Sequence, residues 1–137
     1  MVKTNKHKIL IPNDIVFLHL EDMQNLHDQL LEDLRSSGIE NKVLHAPCVK
    51  QAIEYCKSES IDFIISDWKL PDGTGYEFLQ KVRSTKKYSK TPFLMVTTVN
   101  EVENIINAVS EGANEYLIKP WKRSELIKKI NYCWENL

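Results

Sequence analysis

The hydrophobic positions switch between two rhythms along the chain. Five short apolar runs stand out: Ile15-Val16-Phe17-Leu18-His19-Leu20, Val43-Leu44-His45-Ala46, Phe63-Ile64-Ile65, Phe93-Leu94-Met95-Val96 and Tyr116-Leu117-Ile118. Runs of this length between polar or turn-forming residues predict strands buried on both faces. Helical spacing fills the intervals. Met23, Leu26, Leu30 and Leu34 form one stripe, stopped by Gly38; Val49, Ala52, Ile53 and Cys56 form a second; Phe78, Leu79 and Val82 a third. Val102, Ile105, Ile106 and Val109 make a fourth stripe, closed by Gly112, and Leu126, Ile127, Ile130 and Trp134 a fifth. Asn100 with Glu103 predicts an N-cap and its return partner before the fourth helix. Lys8-Ile9-Leu10-Ile11, followed by Asp14, is an alternative first strand. Only the later register starts an amphipathic helix directly after the acids Glu21 and Asp22, so residues 1–14 are assigned as an N-terminal extension and 15–137 as one domain.

Five strands alternating with five helices predict an α/β fold, one parallel sheet with helices on both faces. Right-handed crossovers then bring all five carboxyl ends to one edge. That edge collects Glu21 and Asp22 after the first strand, Asp67 after the third, Thr97 after the fourth and Lys119 after the fifth. Neighbouring strands lie about 4.8 Å apart, so several of these groups can meet around one point. The turn cluster Leu70-Pro71-Asp72-Gly73-Thr74-Gly75 follows Asp67. On that stretch alone, Asp67 reads equally well as a site residue and as a solvated acid capping the next helix; the other strand ends favour the site.

Composition narrows the function classes. The chain has 137 residues, 42% hydrophobic and 27% charged, as expected for one folded domain. A formal net charge of −1 gives no overall field toward nucleic acid or membrane. No run approaches the ~18 apolar residues of a membrane span, and the basic start with its break at Pro12-Asn13-Asp14 does not read as a signal peptide. Cys48, Cys56 and Cys133 are odd in number, lack C-x-x-C spacing and read as idle or buried thiols in a reducing, cytoplasmic compartment.

Three converging carboxylates repel one another. A hard divalent cation with oxygen ligands relieves that repulsion, which favours magnesium over zinc, with manganese as the substitute. A carboxylate held beside such an ion can attack phosphorus and become an acyl phosphate. A hydroxyl (Thr97) and an ammonium (Lys119) can receive the remaining phosphoryl oxygens. Phosphoryl transfer needs little beyond positioning and charge neutralisation.

The ordered set Leu-Glu-Asp at 20–22, Ile-Ser-Asp-Trp-Lys-Leu-Pro-Asp-Gly-Thr-Gly at 65–75, Met-Val-Thr at 95–97 and Leu-Ile-Lys-Pro at 117–120 resembles the receiver domain of two-component response regulators, close in layout to the single-domain, CheY-like chemotaxis regulators. The resemblance covers residues 15–137. It implies a flavodoxin-like doubly wound sheet in the order 2-1-3-4-5. It implies Asp67 as phosphoacceptor, and Asp22, Asp67, Glu21 (usually through water) and the backbone carbonyl of Lys69 as magnesium ligands. Thr97 matches the switch hydroxyl, Lys119 the phosphate-binding lysine, Tyr116 the aromatic that follows Thr97, and Lys119–Pro120 a peptide bond that is usually cis. Lys69 and Val99 match positions that adjust phosphoryl lifetime; for Lys69, contact with the phosphoryl group and a solvated lysine on a loop both remain open. The implied partners are a histidine kinase or phosphotransfer protein and a downstream protein or output domain. The surface of the fourth helix, fifth strand and fifth helix is the expected output or homodimer face. The expected chemistry is limited to the domain's own phosphorylation and dephosphorylation.

Other readings stand beside this one. A pseudo-receiver would bind partners without phosphorylation, but all five site residues are present. An aspartate-nucleophile phosphohydrolase would need an acid two residues after Asp67, where Lys69 stands. His19 reads as a core histidine with an internal partner; His7, His27 and His45 show no metal-ligand spacing. Trp68 reads as packing at the site rim, and Lys122, Arg123, Lys128 and Lys129 as a solvated helix face. No output domain is read in these residues, which suits both a stand-alone receiver and a piece of a longer protein.

Overall fold

All five predicted strands form, each close to its apolar run. The computed structural model describes residues 8–136, with backbone alone at Val102 and Asn104. The order is β1 (Phe17–Leu20), α1 (Gln24–Ser36), β2 (Val43–Ala46), α2 (Val49–Ser58), β3 (Phe63–Asp67), α3 (Gly75–Ser84), β4 (Phe93–Thr98), α4 (Val102–Ser110), β5 (Glu115–Lys119) and α5 (Arg123–Glu135). The strands pair in parallel in the order β2-β1-β3-β4-β5. This is the doubly wound, flavodoxin-like sheet that the resemblance implies.

The apolar runs are continuous because both sheet faces are covered. Phe17, Phe63, Ile65, Leu94 and Val96 turn to the face packed by α1 and α5, where Leu30, Leu34, Leu126, Ile127 and Ile130 meet them. Leu18, Leu20, Ile64, Phe93 and Met95 turn to the other face, against Ala52, Phe78, Leu79 and Ala108. Full burial of each large apolar side chain contributes about 1.5–3 kcal/mol.

Several expectations need correction. Residues 15 and 16 precede β1 rather than opening it, although Ile15 is buried. Met23 is the N-cap of α1 and half-exposed, so that stripe begins at Leu26. The predicted cap at Asn100 does not form. The chain enters α4 through a 3-10 turn, Val99–Glu101, and the N-cap is Glu101, without a side-chain bond. Among the described side chains of α4, Ile105 and Ala108 are buried while Ile106 and Val109 face solvent; Val102 of the predicted stripe lies outside them. The solvated face of α5 is partly engaged: Arg123 pairs with Asp33 at 3.2 Å and Lys129 with Glu115 at 3.3 Å. Lys8–Ile11 forms no strand but lies against α5. The Leu10 amide donates to Asn131 Oδ1 (3.1 Å), Asn131 Nδ2 donates to the Lys8 carbonyl (2.6 Å), and Ile11 joins the core.

Two local devices hold the edge that carries the chemistry. After Asp67 the chain makes a small hairpin, Lys69–Leu70 with Gly73–Thr74, and Asp72 at its tip reaches α2. The Asp72 carboxylate accepts from the first helical amides, Val49 N (2.8 Å) and Lys50 N (3.0 Å), so α2 is capped from another segment. Those amide bonds also hold the Asp72 carboxyl below its ordinary range. The second device is a histidine cluster. His19 Nδ1 lies 2.9 Å from His27 Nδ1, and the His27 ring stacks on His45 at 3.9 Å. His45 Nε2 donates to the Glu21 carbonyl at 2.6 Å, which fixes the backbone at the end of β1. His19 thus has the internal partner expected of a core histidine.

Replacing Asp72 by Ala should cost about 1 kcal/mol of stability, read as a lower urea midpoint at constant slope. The histidines carry a pH dependence. Burial, with the neighbouring imidazoles adding to it, holds His19 and His27 below the ordinary value of 6.5. As pH falls below 6.5 the unfolded chain takes up protons that the folded one refuses, so stability is full above that pH and declines beneath it. Urea midpoints measured from pH 7.5 to 5.5 should therefore fall less steeply in a His19→Leu/His27→Leu double variant than in the parent. Equal slopes would contradict this.

Candidate functional site

Each group at the carboxyl edge is delivered at or just past the end of a mostly apolar strand. β1 ends at Leu20 and hands the chain to Glu21 and Asp22; β3 ends at Asp67 itself; β4 carries Thr97, and β5 ends at Lys119. The sheet register sets Asp67 beside Val96, and Thr97 beside Ile118. Carboxylate oxygens of Glu21, Asp22 and Asp67 all lie within 4.8 Å of one another. Lys119 reaches into this cluster: its Nζ donates to Asp67 Oδ2 at 3.0 Å and to Glu21 Oε1 at 2.9 Å. The Lys119–Pro120 bond is cis.

The other carboxylate oxygens are held by backbone. Asp67 Oδ1 accepts from the Trp68 amide at 2.9 Å, and Glu21 Oε2 from the Met23 amide at 3.2 Å. Burial pushes both the Asp67 and the Glu21 carboxyls up, while the Lys119 hydrogen bonds pull each back down. Burial also pulls the Lys119 ammonium down, but its two carboxylate partners reverse this and leave it above its ordinary value. One ammonium thus faces three carboxylates, and oxygen-only donors with excess negative charge fit a hard divalent cation.

Thr97 is buried, and its hydroxyl donates to the Thr98 carbonyl over a long 3.4 Å. Tyr116 is half-buried, with Lys129 Nζ 4.6 Å from its ring centre. Val99 is 66% exposed. The Lys69 ammonium is largely exposed and pairs with Glu101 Oε1 at 2.9 Å, which holds it above its ordinary value, with the Asp67 charge adding a smaller pull in the same direction. It ties the loop after β3 to the loop after β4. Trp68 packs at the rim beside Tyr76, with ring centres 5.7 Å apart.

Three supporting residues escaped the sequence reading. Gly75 opens α3 where it crosses the end of β3, and a Cβ there would collide with the Asp67 carbonyl oxygen and stand 2.8 Å from Ser66 Oγ. Its place in the turn cluster after Asp67 was the available signal. Asp33, buried on α1, accepts from Trp121 Nε1 at 2.8 Å and anchors the segment after Lys119. Glu101, the partner of Lys69, had no local signal.

Comparison with known proteins agrees with this geometry. The profile of the response regulator receiver domain matches residues 17–131. A chemotaxis protein CheY homolog of Campylobacter jejuni is 38% identical over 74 residues, which are 54% of this chain and 57% of that protein. The chain thus spans little more than half the length of the curated relatives it matches. A putative response regulator from Chloroflexus aurantiacus superposes with a TM-score of 0.81 at 27% identity, covering 88% of this chain and 98% of that one. The chemotaxis response regulator CheY4 of Vibrio cholerae superposes with a TM-score of 0.78 at 28% identity, again over 88% and 98%. With a matched profile over most of its length, and an acid-lysine cluster at the carboxyl edge of its sheet, the chain belongs to the response regulator receiver domain family.

Proposed function

We propose that this domain is a phosphorylation-controlled switch whose phosphoacceptor is Asp67. One observation carries the reading: the Lys119 ammonium bridges Asp67 and Glu21 while Asp22 completes a group of three carboxylates within 4.8 Å. The donor is a phosphohistidine on a kinase or phosphotransfer protein. An Asp67 oxygen attacks phosphorus, the P–N bond breaks, and the imidazole leaves as it takes a proton. The Lys119 ammonium and the Thr97 hydroxyl take the phosphoryl oxygens, whose charge would otherwise repel the neighbouring acids. Magnesium, or manganese in its place, would be held by Asp22, Asp67, Glu21 and the Lys69 carbonyl. When bound it supplies neutralisation of phosphoryl charge. The family's cytoplasmic setting fits the free thiols, and among the described residues no helix is long and apolar enough to cross a membrane.

Thr97 and Tyr116 couple the site to the α4–β5–α5 surface. Movement of the buried hydroxyl toward a phosphoryl group frees space behind it, and the Tyr116 ring, two positions along the adjoining strand pair from Thr97, follows. Support for an output or dimer face comes from its apolar exposure: Ile106 is 72% and Val109 42% exposed on α4. Partner affinity then changes by population shift.

Incubation with magnesium and acetyl phosphate should add one phosphoryl group by intact mass to the parent and none to Asp67→Asn. No adduct on a folded parent, with any donor, would favour a pseudo-receiver that binds partners unphosphorylated. The Lys69–Glu101 bridge, tying the loop after Asp67 to the loop after β4, guards the phosphoryl group from water. Lys69→Asn and Glu101→Gln should therefore speed dephosphorylation by similar factors, roughly two- to fivefold for loss of an exposed pair. Unchanged rates would remove that role.

A further inference from the structure

Away from the carboxyl edge, the C-terminal halves of α2 and α3 and the turn after α3 border a cavity of about 540 Å³. Its floor is apolar. Phe78, Val82 and Tyr88 lie beneath it with almost no accessible surface, and Ile53 and Cys56, half-buried, present apolar surface along one wall. Tyr88 is a fixed wall, because its hydroxyl donates to the Cys56 and Glu59 carbonyls at 2.9 and 3.0 Å. Burial pushes the Cys56 thiol up to about 11, so this wall is neutral at physiological pH.

The rim is the opposite in character. Lys57, Lys81 and Lys87 line the opening, and all three are exposed. Among the described residues the ion pairs engage Lys42, Lys69, Lys119, Arg123 and Lys129, and none of the three rim lysines has a carboxylate within 4.0 Å. Lys87 instead donates to the Glu59 carbonyl at 3.4 Å and lies over the Tyr88 ring, 5.2 Å from its centre. Favourable placement near helix C-termini accounts for Lys57 and Lys81 singly. It does not account for three unpaired cations around one apolar hollow.

The dimensions select the kind of occupant. On α2 the lining runs only from Ile53 to Lys57, about 6 Å of helix rise. A docked helix needs anchors over two turns or more and a groove wide enough for a body of ~10 Å. A volume of this size suits a drug-sized ligand, held by a mostly apolar lining and a few polar groups. We propose that the α2–α3 cavity binds a small organic anion, with its apolar or aromatic body against Ile53, Cys56 and the aliphatic stems of the rim lysines and its carboxylate, phosphate or sulfonate between Lys81 and Lys87. This site is separate from Asp67 and independent of the phosphorylation reading.

The full chain, 15N-labelled, would be titrated with 8-anilinonaphthalene-1-sulfonate, with fluorescence and amide shifts read together. Saturable one-to-one binding is expected, with shifts confined to residues 53–57 and 78–88. The neutral N-phenyl-1-naphthylamine, and the sulfonate on a Lys81→Gln/Lys87→Gln variant, should each bind roughly tenfold more weakly. Both lysines are exposed, so the variant should keep the parent's circular dichroism. Octanoate should displace the dye. Non-saturating binding, shifts elsewhere, or equal affinity in the neutral probe or the variant would overturn the proposal. Displacement by an acidic amphipathic peptide but not by octanoate would overturn it in favour of a peptide-binding face.

Discussion

One ammonium set among three acids organises this molecule. Lys119 sits about 3 Å from both Asp67 and Glu21, and Asp22 stands within the same small cluster. At such separations a pair near a protein surface interacts by several kcal/mol, so the sign of the uncompensated charge matters more than any single contact. Two carboxylates are balanced only in part, and the third has no lysine of its own. That residue of negative charge is what would draw a hard cation to the edge and let it tolerate the phosphoryl group proposed above.

The rest of the fold keeps these charges in place. The five strands are mostly apolar, and the acids, the hydroxyl and the lysine of the cluster all fall where the sheet ends. Gly75 lets α3 start in contact with the Asp67 backbone, and the Trp68 amide fixes one carboxylate oxygen. Asp72 anchors the hairpin to α2, and Asp33 anchors Trp121 beyond Lys119. The histidine stack does the same for the end of β1 through the Glu21 carbonyl. These supports come from four different segments, which is why the cluster depends on the whole sheet rather than on any local motif.

Much of this was legible in the residues. Runs such as Phe63-Ile64-Ile65 had to be strands covered on both faces, and their ends announced the acids, the hydroxyl and the lysine. What escaped was of three kinds. Periodicity marks apolar positions without saying whether anything covers them, so Ile106 and Val109 read like core residues although they face solvent. Two-residue strands are too short to show a period, so the hairpin after Asp67 appeared only as a turn. Partnerships between distant segments, such as His19 with His27 and His45, Lys69 with Glu101, or Asp33 with Trp121, leave no local trace. The failed cap at Asn100 stands apart from these: the residue types fitted, but the 3-10 turn moved the helix start past it.

The charge balance itself can be tested most directly by titrating magnesium into the parent and a Lys119→Met variant, using the fluorescence of Trp68 beside Asp67, with the other tryptophans replaced by Phe in both. If the lysine and the metal answer to the same carboxylates, removing the ammonium leaves more uncompensated charge, and the variant binds magnesium more tightly. Weaker or unchanged binding in a folded variant would mean that Lys119 does not compete for the field of Glu21, Asp22 and Asp67, and would contradict the account at its centre.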